Sequence, residues 1–316
     1  MIWKLFVLIV GFVLLIKGAD LLVDGASSIA LNLKIPKMLI GLTIVAFGTS
    51  APELAVSISS RISGSDDLVL GNVIGSSIIN ILLILGVSCV IRPITMKSNT
   101  IKKELPLHLL LSMLLVIVIL DITLDGEVIN QITRSDALVI IIFFSIFVYY
   151  LISVAKTSTI FHEKAPYKIP RSLLFVLVGL GSLIYGSNLV VESSIYIAKA
   201  LSISDRVIAL TVIALGTSLP ELVTSITSSI KGEQDLLLGN LIGSNIFNIC
   251  LVLGLPVAIF GTIEASGFSM LDIAAFLVTA SLLYIFAKTK GRLSRLEGAI
   301  MLLIFISYYA LIIVLH

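Results

Sequence analysis

The chain has 316 residues, 58% of them hydrophobic and only 13% charged, with a mean hydropathy of +1.16 and a net charge of +2. Soluble domains carry about 25% charged residues, so most of this surface must face lipid, and the expected class is an all-α polytopic membrane protein. The absence of a basic stripe argues against a nucleic-acid partner, and HExxH, P-loop and Rossmann glycine patterns are absent.

Crossing the hydrocarbon core takes about 20 apolar residues. Runs near residues 3–30, 38–62, 67–91, 104–121, 135–155, 171–200, 206–230, 235–260, 269–287 and 294–315 predict ten transmembrane helices. The first run has no small-residue cleavage site and has a counterpart mid-chain, so it reads as a retained helix and not a signal peptide. It carries Lys17, Asp20 and Asp24, and Lys17 can pair with Asp20 three residues on. Pro36 marks a turn.

The second run holds TIVAFGTSAPE, from Thr43 to Glu53. Pro52 has no amide to bond four residues back, and its ring clashes with that carbonyl. A break is expected there, with Gly48 easing the unwinding and carbonyls such as that of Ala46 freed for a cation. Asp66 and Asp67 suit the start of the third helix. Its motif GNVIGSSIINILLILG, from Gly71, places Ser76 and Asn80 four apart on one face, with Gly71 and Gly75 allowing close helix packing. His108 falls at the start of the fourth helix. Asp121, Asp125, Glu127 and Asp136 make the next loop acidic. The polar stretch from Ala155 to Arg171 then divides the chain into a first unit, 1–154, a linker, 155–170, and a second unit, 171–316; Pro170 suits a helix start.

The second unit repeats the first. ALTVIALGTSLPELVTSIT, from Ala209, matches GLTIVAFGTSAPELAVSIS, from Gly41, and GNLIGSNIFNICLVLG, from Gly239, matches the motif at Gly71. The offset is 168 residues throughout, and it also pairs Gly18 with Gly186. Such a shift implies duplication of one structural unit. Five helices per unit is an odd number, so the units insert oppositely, as two inverted repeats. Fifteen Lys and Arg lie on the side of the linker against five on the side of the N-terminus. The positive-inside rule then makes the 155–170 linker cytoplasmic and both termini external, in the cell membrane.

Glu53 and Glu221 each lie about halfway along an apolar run, directly after a proline. An intramembrane carboxylate is costly and marks a functional site. Around them the repeats set Thr49, Ser50, Thr217 and Ser218, then Ser76, Asn80, Ser244 and Asn248, and the carbonyls of Ala46 and Ala214. His108, His162 and His316 fall at a helix start, in the linker and at the C-terminus, and Cys89 and Cys250 read as buried thiols without metal-ligand spacing. An all-oxygen set suits hard cations, Ca²⁺ ahead of Mg²⁺, with Na⁺ accepting the same ligands. Two carboxylates without a cation resist movement through a low-dielectric barrier. One Ca²⁺, two Na⁺ or two protons neutralise them, which makes exchange, not leak, the expected outcome. Ca²⁺/H⁺ exchange, a channel and an intramembrane hydrolase are the rival readings. The last lacks zinc ligands and a catalytic Asp pair.

The paired GTSxPE and GNxxGS motifs resemble those of the cation/Ca²⁺ exchanger superfamily, specifically the prokaryotic calcium/sodium antiporters. The resemblance covers the whole chain. It implies an antiporter, not an enzyme, with no cofactor and with Ca²⁺ and Na⁺ as transported ions. The sequence does not give the oligomeric state, and a monomer is the expectation. It implies that Glu53 and Glu221 bind Ca²⁺ and share in Na⁺ binding, and that Thr49 and Thr217 offer backbone carbonyls to Ca²⁺. Ser50, Ser76, Ser218 and Ser244, with the carbonyls of Ala46 and Ala214, would serve Na⁺, and Asn80 would orient at the centre. The first and sixth helices would slide together to alternate access. Some members carry Asp where this chain has Asn248, which removes a possible third carboxylate.

Overall fold

The computed structural model describes residues 2–124, 129–157, 164–201, 214–265 and 269–315. The first half contains α1 (Ile2–Leu33), α2 (Lys37–Thr49), α3 (Ala51–Ile62), α4 (Asp66–Ile91), α5 (100–119) and α6 (Arg134–Thr157). The second contains α7 (Ile169–Ala200), a helical turn at Ala214–Gly216, α8 (Leu219–Lys231), α9 (Gln234–Phe260), α10 (Met270–Lys290) and α11 (Arg295–Leu315). Seven of these helices are long and apolar enough to cross a membrane, and α2 with α3, bent by 43°, make an eighth candidate span. The fourth apolar run forms α5. The seventh forms the Ala214–Gly216 turn and α8, its residues 206–213 lying outside the described ones.

Helices α4 and α9 are central. Of their apolar stretches 72% and 78% are buried, against 33% or less in the other five long spans. The outer helices turn large apolar side chains such as Trp3, Ile142, Leu177 and Leu303 outward, which suits lipid. Lipid supplies no hydrophobic drive between helices, so close backbone packing has to hold them together. The pair α1 and α7 illustrates this. A Cβ on Gly18 would lie 2.9 Å from the Gly179 carbonyl oxygen, and one on Gly179 would lie 2.8 Å from that of Gly18. Gly11 and Gly186 approach equally closely, at 3.0 and 2.9 Å.

Links between the halves recur in matched form. Strand β1 (Ile94–Thr95) pairs antiparallel with β4 (Arg292–Leu293), and β2 (Gln131–Ile132) with β3 (Ile263–Glu264). The first pair ties the loop after α4 to the loop before α11. The second ties the loop before α6 to the loop after α9. Within each half a matching bond also appears: Tyr150 donates a short hydrogen bond to Glu104, and Tyr308 donates to Asp272 at 2.9 Å; Glu104 and Asp272 are themselves 168 residues apart.

Several expectations are corrected by packing. Gly48 stays helical, and its missing side chain makes room for Leu180, whose Cδ2 would lie 2.5 Å from a Cβ there; Gly216 does the same for Val191 at 2.4 Å. These glycines admit neighbours from α7 rather than ease an unwinding. Lys17 is exposed, and Asp20 and Asp24 pair with Lys231 instead, at 3.2 and 2.7 Å. Gly239 and Gly243 pack tightly on α2, but no described atom comes within 4 Å of a Cβ on Gly75. Asp121 and Asp136 accept backbone amides of Gln131 and Thr133, so they fix the turn before α6; Asp125 and Glu127 lie outside the described residues. Asp66 and Asp67 do open α4, with Arg61 pairing to Asp66 at 2.8 Å, and Pro170 does open α7.

The glycine seam makes a testable demand. Gly18→Val or Gly179→Val drives a side chain into an opposing carbonyl and should cost roughly 1–3 kcal/mol. A lowered thermal unfolding midpoint in detergent checks it, and an unchanged midpoint in both variants would contradict the packing.

Candidate functional site

The break in the second span falls at Ser50, with φ −82° and ψ 2°, and the equivalent Ser218 has φ −85° and ψ 5°. Pro52 and Pro220 follow as the second residues of α3 and α8, where a missing amide costs little because first-turn amides have no helical partner. Glu53 and Glu221 therefore sit in a first turn, where the helix dipole favours a carboxylate. Both are only 1% exposed.

Two asparagines hold these helices in place. Asn72 on α4 donates to the Glu53 carbonyl at 2.9 Å and to Ser57 Oγ at 3.1 Å. Asn240 on α9 donates to Ser225 Oγ at 3.2 Å. Each is the Asn of a GNxxGS motif. That position was visible in the repeat, but an amide there reads as a helix-packing residue until its partner is known.

The halves meet across the centre. Ser50 Oγ donates to Glu221 Oε1 at 3.3 Å, and Ser244 Oγ donates to the same oxygen at 3.4 Å. Thr49 Oγ1 donates to Asn240 Oδ1 at 3.1 Å and lies 3.5 Å from Ser244 Oγ. Asn80 Nδ2 donates to Asn245 Oδ1 at 2.9 Å. Ser76, Ser218 and Asn248 are buried as well, and Thr217 is half-buried. Asn80 and Asn248 lie at matched places in widened π turns, Ile79–Leu85 and Asn248–Leu253. Such turns break the helical ladder and gather at functional sites.

Many of these polar atoms lack a protein partner. Both carboxylate oxygens of Glu53, Oε2 of Glu221, Oγ of Ser218, Oδ1 of Asn80 and both side-chain atoms of Asn248 are buried without a hydrogen bond among the described residues. Leaving one such group unpaired costs about 1–3 kcal/mol, and more when it is charged. All but the Asn248 amide nitrogen are oxygens, and oxygen ligands suit a hard cation. Among the described residues no group of three or more His, Cys, Asp or Glu converges. The acidic charge here comes from the two glutamates.

Three expectations change. The Ala46 carbonyl is not freed by proline, since it accepts from Ser50 N at 2.9 Å and Thr49 Oγ1 at 3.3 Å. The carbonyl that Pro220 deprives of its amide is that of Gly216, and Ser187 Oγ donates to it at 2.8 Å. The first-half counterpart of Ser187 is Ala19, which has no donor. Finally, His108 is not peripheral. It is 1% exposed, and its Nε2 lies 3.3 Å from Asn245 Nδ2. His162 and His316 lie outside the described residues. Cys89 and Cys250 are buried free thiols.

Broken helices that meet around intramembrane carboxylates are the architecture of a secondary ion transporter. Comparison with known proteins agrees. A family model described as sodium/calcium exchanger protein matches residues 3–153 and 171–314, and the chain belongs to that family of integral membrane antiporters. It is 38% identical to the inner membrane protein YrbG of Escherichia coli, covering 80% of this chain and 78% of that one. It is 29% identical to the sodium/calcium exchanger MaX1 of Methanosarcina acetivorans over 96% of each. The solved structure of the sodium-calcium exchanger NCX_Mj soaked with 2.5 mM Na⁺ and 10 mM Sr²⁺ superposes with a TM-score of 0.86, at 32% identity and 98% coverage of both chains.

Three of the four carboxylate oxygens lack a partner among the described residues, which leads to a stability prediction. In cation-free detergent Glu53→Gln and Glu221→Gln should each unfold no more than about 3 °C below the parent, within the effect of about 1 kcal/mol for a chain of this size. A larger fall, read by thermal unfolding, would mean that the carboxylates have structural partners beyond the Ser50 and Ser244 hydroxyls.

Proposed function

We propose that the protein is a Ca²⁺/Na⁺ antiporter that binds both ions between Glu53 and Glu221 and works by alternating access. The observation that carries this reading is the buried, unpartnered oxygen set centred on two carboxylates, one from each half. Two negative charges in a low dielectric are compensated by one Ca²⁺ or by two Na⁺. The barrier to switching access is then low for loaded forms and high for the bare site, which couples the two fluxes.

In this reading Glu53 and Glu221 bind Ca²⁺ and take part in Na⁺ binding, with Thr49 and Thr217 adding backbone carbonyls. Ser50, Ser76, Ser218 and Ser244 complete the Na⁺ positions, and Asn80 and Asn248 present amide groups to the centre. The carbonyls of Ala46 and Ala214 rank last, because Ala46 already accepts two protein donors. Asn248 leaves the site with two acids, so its full charge is balanced by a single divalent ion. Named relatives are exchangers, which supports transport over hydrolysis.

The reading includes ten spans arranged as two inverted repeats, 1–154 and 171–316, with the 155–170 linker in the cytoplasm and both termini outside the cell membrane. The matched Ser50 and Ser218 breaks support it, as do the paired π turns. So do the strand ties, since each joins loops that a ten-span path puts on one side: β1 with β4 on the linker side, β2 with β3 on the other.

Purified protein in vesicles tests this. An imposed Na⁺ gradient should drive ⁴⁵Ca²⁺ movement against its own gradient, and Glu53→Gln or Glu221→Gln should each reduce it to background. Near-normal exchange by either variant would reject the assigned roles. Flux driven by a pH gradient and not by Na⁺ would transfer the same two glutamates to Ca²⁺/H⁺ exchange.

A further inference from the structure

We infer that His108 is a positioning residue for the cation site, acting through Asn245 to orient the amide of Asn80. The inference rests on the proposal that Asn80 faces the ion.

The three side chains form a buried chain across both halves. Asn80 Nδ2 donates to Asn245 Oδ1 at 2.9 Å, and Asn245 Nδ2 lies 3.3 Å from His108 Nε2. Each residue is 1% exposed. The chain has a direction. An amide has one accepting end and one donating end. With the Asn245 oxygen accepting from Asn80, its nitrogen faces the imidazole; Nε2 then accepts and the ring proton sits on Nδ1, which meets no acceptor among the described residues. Turning either amide over alone opposes two donors or two acceptors, so the chain runs in one sense throughout. In the sense the structure shows, its free end is Asn80 Oδ1, buried and without a hydrogen-bond partner among the described residues.

The sense of that last group matters to a cation. A carbonyl oxygen attracts the ion, whereas a rotated amide offers two N–H donors that repel it. Sterically the two orientations differ little, so hydrogen bonding has to choose between them. Outer partners that orient ligands in this way tune metal affinity strongly.

The repeat supplies an internal control. At the 168-residue offset the counterpart of His108 is Phe276 and that of Asn245 is Ser77. Phe276 is buried and has no ring nitrogen, and Ser77 Oγ donates to the Val73 carbonyl at 2.8 Å. Correspondingly, Asn248, the counterpart of Asn80, has neither side-chain atom bonded among the described residues. One half carries the relay and holds its amide; the other lacks both outer members and leaves its amide free.

The test exchanges each relay residue for its counterpart. Ca²⁺ binding to purified protein is measured by calorimetry for His108→Phe, Asn245→Ser, the double variant and His108→Gln, whose amide oxygen can accept from Asn245. Each single replacement should weaken binding about tenfold. The double variant should be no more than about twofold weaker than either single, as expected for one chain. His108→Gln should restore most of the affinity. In vesicles the loss should appear in the half-saturating Ca²⁺ concentration, with the maximal rate within about twofold. His108→Phe or Asn245→Ser binding Ca²⁺ like the parent, or losses that multiply in the double variant, would overturn the relay. If His108→Phe does not fold, Asn245→Ser and His108→Gln decide by the same criteria. Calorimetry is independent of coupling: the expected binding pattern without Na⁺-driven flux would support the relay and overturn the proposed exchange.

Discussion

Two carboxylates in a hydrocarbon-thick protein, with no basic partner bonded to them among the described residues, set the terms for everything around them. In low dielectric a bare charge is expensive, and the cost falls only when an opposite charge arrives or a proton neutralises it. Among the described residues no salt bridge relieves that cost. Ser50 and Ser244 offer hydroxyls to one oxygen of Glu221, and neither oxygen of Glu53 is bonded to a described residue. A membrane protein keeps such groups where their pairing is part of its work.

Placing acids at that depth needs broken helices, and breaks carry their own cost. A proline at the second position of a helix loses little, because first-turn amides have no helical partner. The carbonyl upstream is the problem. On the second side Ser187 caps the Gly216 carbonyl. On the first side Ala19 stands where that serine would be. Close helix packing elsewhere steadies the frame: the reciprocal glycine contacts of α1 and α7, and Gly239 and Gly243 against α2. Asn72 and Asn240 then clip the post-proline helices to α4 and α9.

Duplication yields a symmetric frame but not a symmetric site. Equivalent serines break the chain at nearly equal angles, and equivalent π turns carry equivalent asparagines. The hydrogen bonds differ. Asn80 donates to Asn245, whereas Asn248 has no side-chain bond among the described residues, and Ser77, the counterpart of Asn245, turns to the Val73 carbonyl. A repeated unit by itself gives two equal half-sites; changes one layer out make them unequal without touching the acids.

Much of this was legible in the chain itself. Composition required lipid as the main solvent, the 168-residue offset required a repeated unit, and a Pro–Glu step inside an apolar run required a break with a buried acid beside it. These are local consequences of backbone chemistry and of the cost of charge in hydrocarbon, so no neighbour is needed to see them. Partners were another matter. Gly48 and Gly216 look like unwinding residues until Leu180 and Val191 are seen filling their space. Lys17 looks like the partner of Asp20 until Lys231 arrives from α8. His108 looks like a residue at a helix end until Asn245 meets it from the other half. A hydrogen bond or a close approach between residues more than a hundred positions apart depends on how helices cross, and periodicity in one segment carries no record of which side chain another segment brings to it.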